Sequence, residues 1–169
     1  MNRRELFKSA VLGALTGRAQ AQSTEAWTPL LFDPHQNETI IVMSELIIPA
    51  TDTPGAREAK ANQYIDLYLH DVDPELGRRV LAGLGWLDGY AQRKHGAPFV
   101  KCSEAQQVEI LKSLDSGGSS ELKTGAALFR DVKQLTITGY YTSKIGIAEM
   151  NKGGRVPPTY ACRHDDHEG

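Results

Sequence analysis

The residues His164-Asp165-Asp166-His167 form the one cluster in the sequence that resembles a metal site. Two imidazoles and two carboxylates could coordinate a divalent ion. They stand in a terminal tail, where no predicted element fixes their geometry, so a solvated acidic tail is the favoured interpretation. The alternative, an independent metal-binding or small enzyme domain that uses His164 and His167, stays open.

Three aspartates form the second candidate, because carboxylates close in sequence can act as a general acid and a general base. They are Asp66, Asp71 and Asp73. A solvated helix end explains them better than catalysis. The other histidines stand at predicted helix ends, where capping or dipole roles suffice; they are His35, His70 and His95.

Motifs for bond chemistry are missing from the sequence. It contains no Gly-x-Gly-x-x-Gly, no phosphate-loop lysine motif and no nucleophile elbow, although a Ser/His/Asp site cannot be disproved from sequence. Without Cys-x-x-Cys-His, covalent c-type haem is excluded. We therefore assign no catalytic, cofactor-binding or metal-ligating residue to this chain.

The beginning of the chain has the pattern of an export leader. Residues 1–21 combine a basic start, a short apolar stretch and a small-x-small cleavage site at Ala19 and Ala21. The paired arginines and the residues after them resemble a twin-arginine signal, which predicts the periplasm as destination; these residues are Arg3, Arg4, Leu6, Phe7 and Lys8. A general secretory leader, or a basic N-terminus that stays, is the alternative.

The twin-arginine pathway carries folded proteins, usually ones that have acquired a cofactor or a partner. Either this chain binds a cofactor, or it escorts a protein that does. Removing a leader that ends at Ala21 takes away four basic side chains and one acidic one, so the net charge changes from −2 to −5. That balance argues against a nucleic-acid partner, which needs a basic face.

The remaining 148 residues suit one small domain. Caps and helical spacing of apolar residues predict about five helices, and no stretch alternates with period two, so the fold class is all-α. The predicted helices run from Pro34 to the stop at Pro49, from about Asn62 to Asp71, from Pro74 to Gly96, from the Ser103 cap to Gly117, and from about Ser120 to Thr138. Residues 22–33 are predicted to be extended, 34–150 to form the helical domain, and 151–169 to form an extended proline-rich arm with a charged tail.

Two features suggest contacts outside the core. Cys102 and Cys162 would meet an oxidising compartment after export, and either pair with each other or bond a partner chain.

Tyr140 and Tyr141 are adjacent between glycines, and adjacent helix positions point about 100° apart, so both rings rarely enter one core. Tyrosine is also enriched in protein interfaces. The alternative is that one ring fills the core and the other packs beneath the arm.

Three sequence blocks together resemble the small third subunit of gluconate 2-dehydrogenase-type enzymes. They are Leu46 to Pro49 with Thr51 to Ala56, Gly139 to Gly146, and the closing Pro157, Tyr160 and Cys162. The resemblance spans roughly residues 35–162. It implies a non-catalytic partner of a large flavoprotein of the glucose–methanol–choline type, which carries FAD and oxidises a sugar, sugar acid or polyol.

The resemblance also implies the remaining partners and the interface. A multihaem cytochrome c commonly takes the electrons in such complexes, and any association with the membrane is then indirect. The large subunit often lacks a leader, so the small subunit supplies export for both. The candidate partner interface comprises Pro49, Thr53, Pro54, Gly55, Gly139, Tyr140, Tyr141, Ser143, Gly146 and Tyr160.

Overall fold

A computed structural model describes residues 27–117 and 120–153 of the chain, and within them every regular element is helical. The α-helices are α1 (Pro34–Ile47), α2 (Ala61–Leu67), α3 (Pro74–His95), α4 (Glu104–Asp115), α5 (Lys123–Thr142) and α6 (Lys144–Met150). A π-helical turn (Tyr68–Val72) follows α2, and three 3₁₀ turns span Phe99–Lys101, Ser120–Leu122 and Asn151–Gly153. The predicted all-α class is confirmed.

Helix α5 organises the domain, since α1, α2, α3, α4 and α6 all pack against it. Its buried residues include Leu128, Phe129, Val132 and Leu135, which face the core at helical spacing. Two small residues allow close approach of α3 and α5: Gly83 lies against the Leu128 side chain, and Gly125 lies against the Trp86 ring.

The predicted helix starts at Pro34 and after Ser103 are confirmed, and Asp33 and Ser103 form complete capping boxes there. In each, the cap side chain accepts a hydrogen bond from the third helical backbone N–H, and the side chain of that third residue, Gln36 or Gln106, accepts one from the cap backbone N–H. Gly96 ends α3 in the left-handed region at φ 78°, where a side chain would be strained.

Two predicted helices differ from the structure in extent. The helix expected to reach Asp71 is α-helical only to Leu67 and then widens into the π-helical turn. The helix expected to end near Thr138 continues to Thr142, and the short helix α6 follows it. After Thr138 the sequence contains no helix stop except Gly139. The helix continues through Gly139, and the Tyr64 ring packs where a side chain at that position would lie.

The interpretation of Asp66 as part of a solvated helix end was wrong. Asp66 is fully buried, and its carboxylate accepts backbone hydrogen bonds from Leu30 (2.7 Å), Leu31 (3.0 Å) and Phe32 (3.1 Å). It therefore anchors the segment before α1 to α2, and Phe32 enters the core beside it. Of its predicted companions, Asp73 caps α3 by accepting from the Leu76 N–H, and Asp71 contacts His70.

Candidate functional site: the turn–corner surface

A tight corner joins α5 to α6 at Ser143. The Ser143 hydroxyl donates to the Tyr140 carbonyl oxygen at 2.7 Å and accepts from the Gly146 N–H at 3.0 Å, so one side chain ends one helix and caps the next. A Cβ at Gly146 would stand far inside van der Waals contact with the Tyr140 carbonyl oxygen. Two of the predicted interface residues, Ser143 and Gly146, therefore shape this corner.

The two adjacent tyrosines are divided between core and surface. Tyr140 is 4% exposed, Tyr141 is 46% exposed, and their rings meet edge to face with centroids 5.2 Å apart. The expectation that only one ring enters the core is confirmed. Beyond Tyr141, Ile147 and Met150 on α6 are about half exposed, so this end of the domain presents apolar side chains to the outside.

The turn from Pro49 to Ala56 is fixed by Glu45 of α1. One carboxylate oxygen accepts from the Ala50 N–H at 3.0 Å, and the other accepts from the Arg57 N–H at 2.9 Å. Gly55 is buried against this carboxylate, where a Cβ would lie 2.5 Å from Oε1. Glu45 was missed as a site residue, because no local pattern marks a helical glutamate that closes a turn up to 12 residues away.

Tyr140 connects the corner to this turn. Its hydroxyl donates a hydrogen bond to the Pro54 carbonyl oxygen at 2.9 Å. We call the combined region, residues 49–56 and 139–147 with Met150, the turn–corner surface. Within it Pro49 is exposed and Thr53 is half-buried. The structure thus brings together the first two blocks of predicted interface residues.

An open groove of about 610 Å³ adjoins the corner on the side of α2. Its lining includes Glu58, Lys60, Tyr64, Leu67, Gly139, Lys144 and Ile145. The Tyr64 ring packs on Gly139 and stacks on Tyr68 at 5.8 Å between centroids. Burial raises the pKa of the Tyr64 hydroxyl, and the neighbouring Tyr68 raises it further. The uncharged Tyr64 ring forms part of the groove lining.

The titratable residues singled out from the sequence have structural contacts. His35 Nε2 lies 2.6 Å from Asp88 Oδ2, and the other oxygen of Asp88 accepts from the Phe99 N–H at 2.9 Å. His70 Nδ1 lies 2.6 Å from Asp71. His95 Nε2 is buried without a hydrogen-bond partner among the described residues, 3.8 Å from a Glu109 oxygen.

Cys102 is buried, with its sulfur 3.6 Å from the carbonyl oxygens of Ala97 and Pro98. Burial raises the pKa of its thiol, and the nearby Asp88 raises it further. The suggested partner Cys162 lies outside the described residues, so the pairing stays a prediction.

The other predicted residues outside the described part of the chain also stay predictions. They belong to the leader, to the closing block and to the metal alternative: Arg3, Arg4, Leu6, Phe7, Lys8, Ala19, Ala21, Tyr160, His164 and His167.

Two further findings concern the described part of the chain alone. Across residues 27–117 and 120–153, no three His, Cys, Asp or Glu side chains are grouped so that they could hold a metal ion. None of the helices in these ranges combines the length and apolar character needed to cross a bilayer.

Comparison with known protein families gives a match over most of the described chain. The family described as gluconate 2-dehydrogenase subunit 3 matches residues 34–153, from the first residue of α1 to the last 3₁₀ turn. No curated protein and no solved structure matches the chain. The match covers well over half of the sequence and both halves of the turn–corner surface. The chain belongs to the gluconate 2-dehydrogenase subunit 3 family.

Proposed function

We propose that this chain is the non-catalytic small subunit of a periplasmic FAD-dependent dehydrogenase that oxidises a sugar, sugar acid or polyol. It escorts a large flavoprotein subunit of the glucose–methanol–choline type through export and then stabilises it. Family membership makes the chain a subunit of an oxidoreductase complex. FAD and the substrate site belong to the large subunit, and a multihaem cytochrome c is the further partner that accepts electrons.

The observation that carries the proposal is the hydrogen bond between Tyr140 and Pro54, which joins two distant sequence blocks into one surface. Around this buried connection three apolar side chains, Tyr141, Ile147 and Met150, are about half exposed. Exposed polar residues, among them Asp52 and Lys144, lie beside them. Exposed aromatic and methionine side chains on a rigid support are typical of protein interfaces. The subunit therefore acts by burying partner surface.

The leader supports the escort role. Twin-arginine export accepts folded cargo, so a flavoprotein without its own leader could cross while bound to this subunit, already loaded with FAD. The segment before α1 is held by the buried Asp66 carboxylate at Leu30, Leu31 and Phe32. With this anchor, a leader at the start of the chain would be joined to a segment that is held on the folded domain from Leu30 onward.

The escort role is tested by replacing both leader arginines, Arg3→Lys with Arg4→Lys, and measuring dehydrogenase activity in cytoplasmic and periplasmic fractions. Glucose, gluconate, fructose and sorbitol serve as substrates with a dye as electron acceptor. We expect the activity to stay in the cytoplasm, whereas the control Arg18→Lys, also in the leader, leaves export unchanged. Normal periplasmic activity in the double variant would contradict the escort role.

A further inference from the structure

The groove beside the corner differs in charge from the chain around it. The full chain carries a net charge of −2, and residues 22–169, without the predicted leader, carry −5. The groove is nevertheless lined by two exposed lysines and one exposed glutamate. Lys60 precedes α2, and Lys144 is the first residue of α6. Neither lysine, nor Glu58, forms an ion pair with another residue of the described part, so their charges face solvent.

Lys60 occupies its position at a conformational cost. Its backbone has φ 56° and ψ 38°, and it is the one non-glycine residue with positive φ in the described part of the chain. This left-handed region favours glycine or asparagine, and a long side chain there costs on the order of 1 kcal/mol. Lys60 makes no side-chain cap for α2. The hydrogen bonds that hold this turn use its backbone, with its N–H donating to the Arg57 carbonyl oxygen and its carbonyl oxygen accepting from the Gln63 N–H, so its side chain has no part in holding the turn.

Apolar residues form the larger part of the remaining groove lining, which also includes the polar residues Gln63, Thr142 and Ser143. The Tyr64 ring and Ile145 are half-buried, and Leu67 is 42% exposed, which is high for a leucine in a helix that packs against the core. The volume of about 610 Å³ is large enough for several side chains. An occupant that matches this lining brings an apolar side chain to Leu67 and carboxylates to Lys60 and Lys144.

We propose that the groove receives an acidic segment of the flavoprotein subunit, which inserts an apolar side chain between Tyr64, Leu67 and Ile145 and pairs its carboxylates with Lys60 and Lys144. This inference rests on the proposed function and adds to it a specific docking site. Complementary charge at this site steers the encounter and fixes the register, and burial of the apolar side chain supplies affinity.

Photo-crosslinking in the intact exported complex tests the occupant. A benzoylphenylalanine replaces Leu67 in the groove or, as the matched control, Val72, which is 67% exposed and lies outside the groove. Mass spectrometry identifies the crosslinked peptides. We expect position 67 to label a flavoprotein peptide that carries an apolar residue flanked by Asp or Glu, and position 72 not to label that peptide.

The other possible occupants would overturn the inference. They are residues 154–169 of the same chain, a second copy of this chain, or a flavoprotein peptide without carboxylates; an adduct to any of them contradicts the proposed docking. If no flavoprotein is present in the complex at all, the proposed function fails and the docking inference with it. If the flavoprotein is present but labelled only from position 72, the docking inference alone fails.

Charge variants give an independent measurement. Lys60→Glu with Lys144→Glu should weaken the affinity between the two subunits at least about tenfold at low salt, and the difference should shrink at high salt. The control Lys101→Glu with Lys112→Glu, outside the groove, should leave the affinity unchanged. Lys60→Gly should weaken binding while raising the unfolding midpoint of the chain, a combination that a purely structural Lys60 would not produce. Equal affinities for the groove and control variants would contradict the inference.

Discussion

Tyr140 donates its phenolic hydrogen to the carbonyl oxygen of Pro54 across 86 positions of sequence. The donor lies in the last turn of α5, and the acceptor lies in a turn that Glu45 of α1 holds in place. The bond therefore adds a direct connection between the turn and α5, beyond the packing of α1 against α5. An interface built on both elements can keep its shape before a partner arrives, which lowers the entropic cost of binding.

Tyr140→Phe should lower the free energy of unfolding by about 1 kcal/mol, because it removes one intramolecular hydrogen bond and leaves the ring in place. Urea unfolding of the mature chain measures the effect. Tyr141→Phe is the matched control, since Tyr141 is half exposed and its stability change should be close to zero. Equal changes for the two variants would contradict a structural role for the Tyr140–Pro54 bond.

Gly146→Ala should disrupt the corner between α5 and α6. Its Cβ would overlap the backbone of Tyr140, which cannot move as a flexible side chain can, and we expect a loss of about 2 kcal/mol or more. Gly85→Ala is the control. No atom lies within 4 Å of a Cβ at that position in α3, and the loss of backbone freedom should stabilise the chain by about 0.5–1 kcal/mol. Thermal unfolding should show a lower midpoint for Gly146→Ala and a higher midpoint for Gly85→Ala than for the native chain.

Asp66→Ala should detach the segment before α1. Three backbone N–H groups lose their acceptor, and each unsatisfied buried donor costs about 1–3 kcal/mol unless water reaches it. We expect fast amide exchange at Leu31 and Phe32 and early proteolysis near residue 30. Asp71→Ala, an exposed neighbour, should leave these amides protected. Protection that persists in Asp66→Ala would contradict the anchor.

These contacts mark the boundary of what sequence can predict. Local signals predicted the starts of α1, α3 and α4, because a cap and its helix are only three residues apart. Asp66 was misread because its donors lie 34–36 positions away and leave no local pattern. Glu45 was missed for the same reason, since one of its donors, the Arg57 N–H, lies 12 positions away. Of the site, sequence identified the two blocks through resemblance, but only the fold shows that Tyr140 joins them.

The ion pair between Lys94 and Glu109, with 2.8 Å between Nζ and Oε1, predicts a pH dependence. The hydrogen bond from Lys94 lowers the pKa of Glu109 below its usual 4.5, and the same bond raises the pKa of Lys94 above its usual 10.5. The ion pair therefore stabilises the folded chain fully between pH 4.5 and pH 10.5, the usual pKa values of the two groups. It is lost as the pH falls through the lowered pKa of Glu109 or rises through the raised pKa of Lys94.

Glu109→Gln should consequently lower the urea midpoint slightly at neutral pH, since both groups are well exposed to solvent. The difference from the native chain should disappear in acid, below the pKa of Glu109. The control Glu58→Gln, whose carboxylate forms no ion pair within the described residues, should change little at either pH. If the difference in urea midpoint between Glu109→Gln and the native chain grew as the pH falls, the predicted pH dependence of the ion pair would be contradicted.

Purification of the C-terminally tagged chain from the periplasm under mild conditions tests the central claim most directly. The absorption spectrum and a denaturing gel are recorded on the same sample. We predict a larger co-purifying chain and a flavin spectrum at a fixed ratio to the tagged subunit. A single colourless chain that stays folded, without a flavoprotein, would contradict the assignment of this protein as the escort and stabilising subunit of a dehydrogenase.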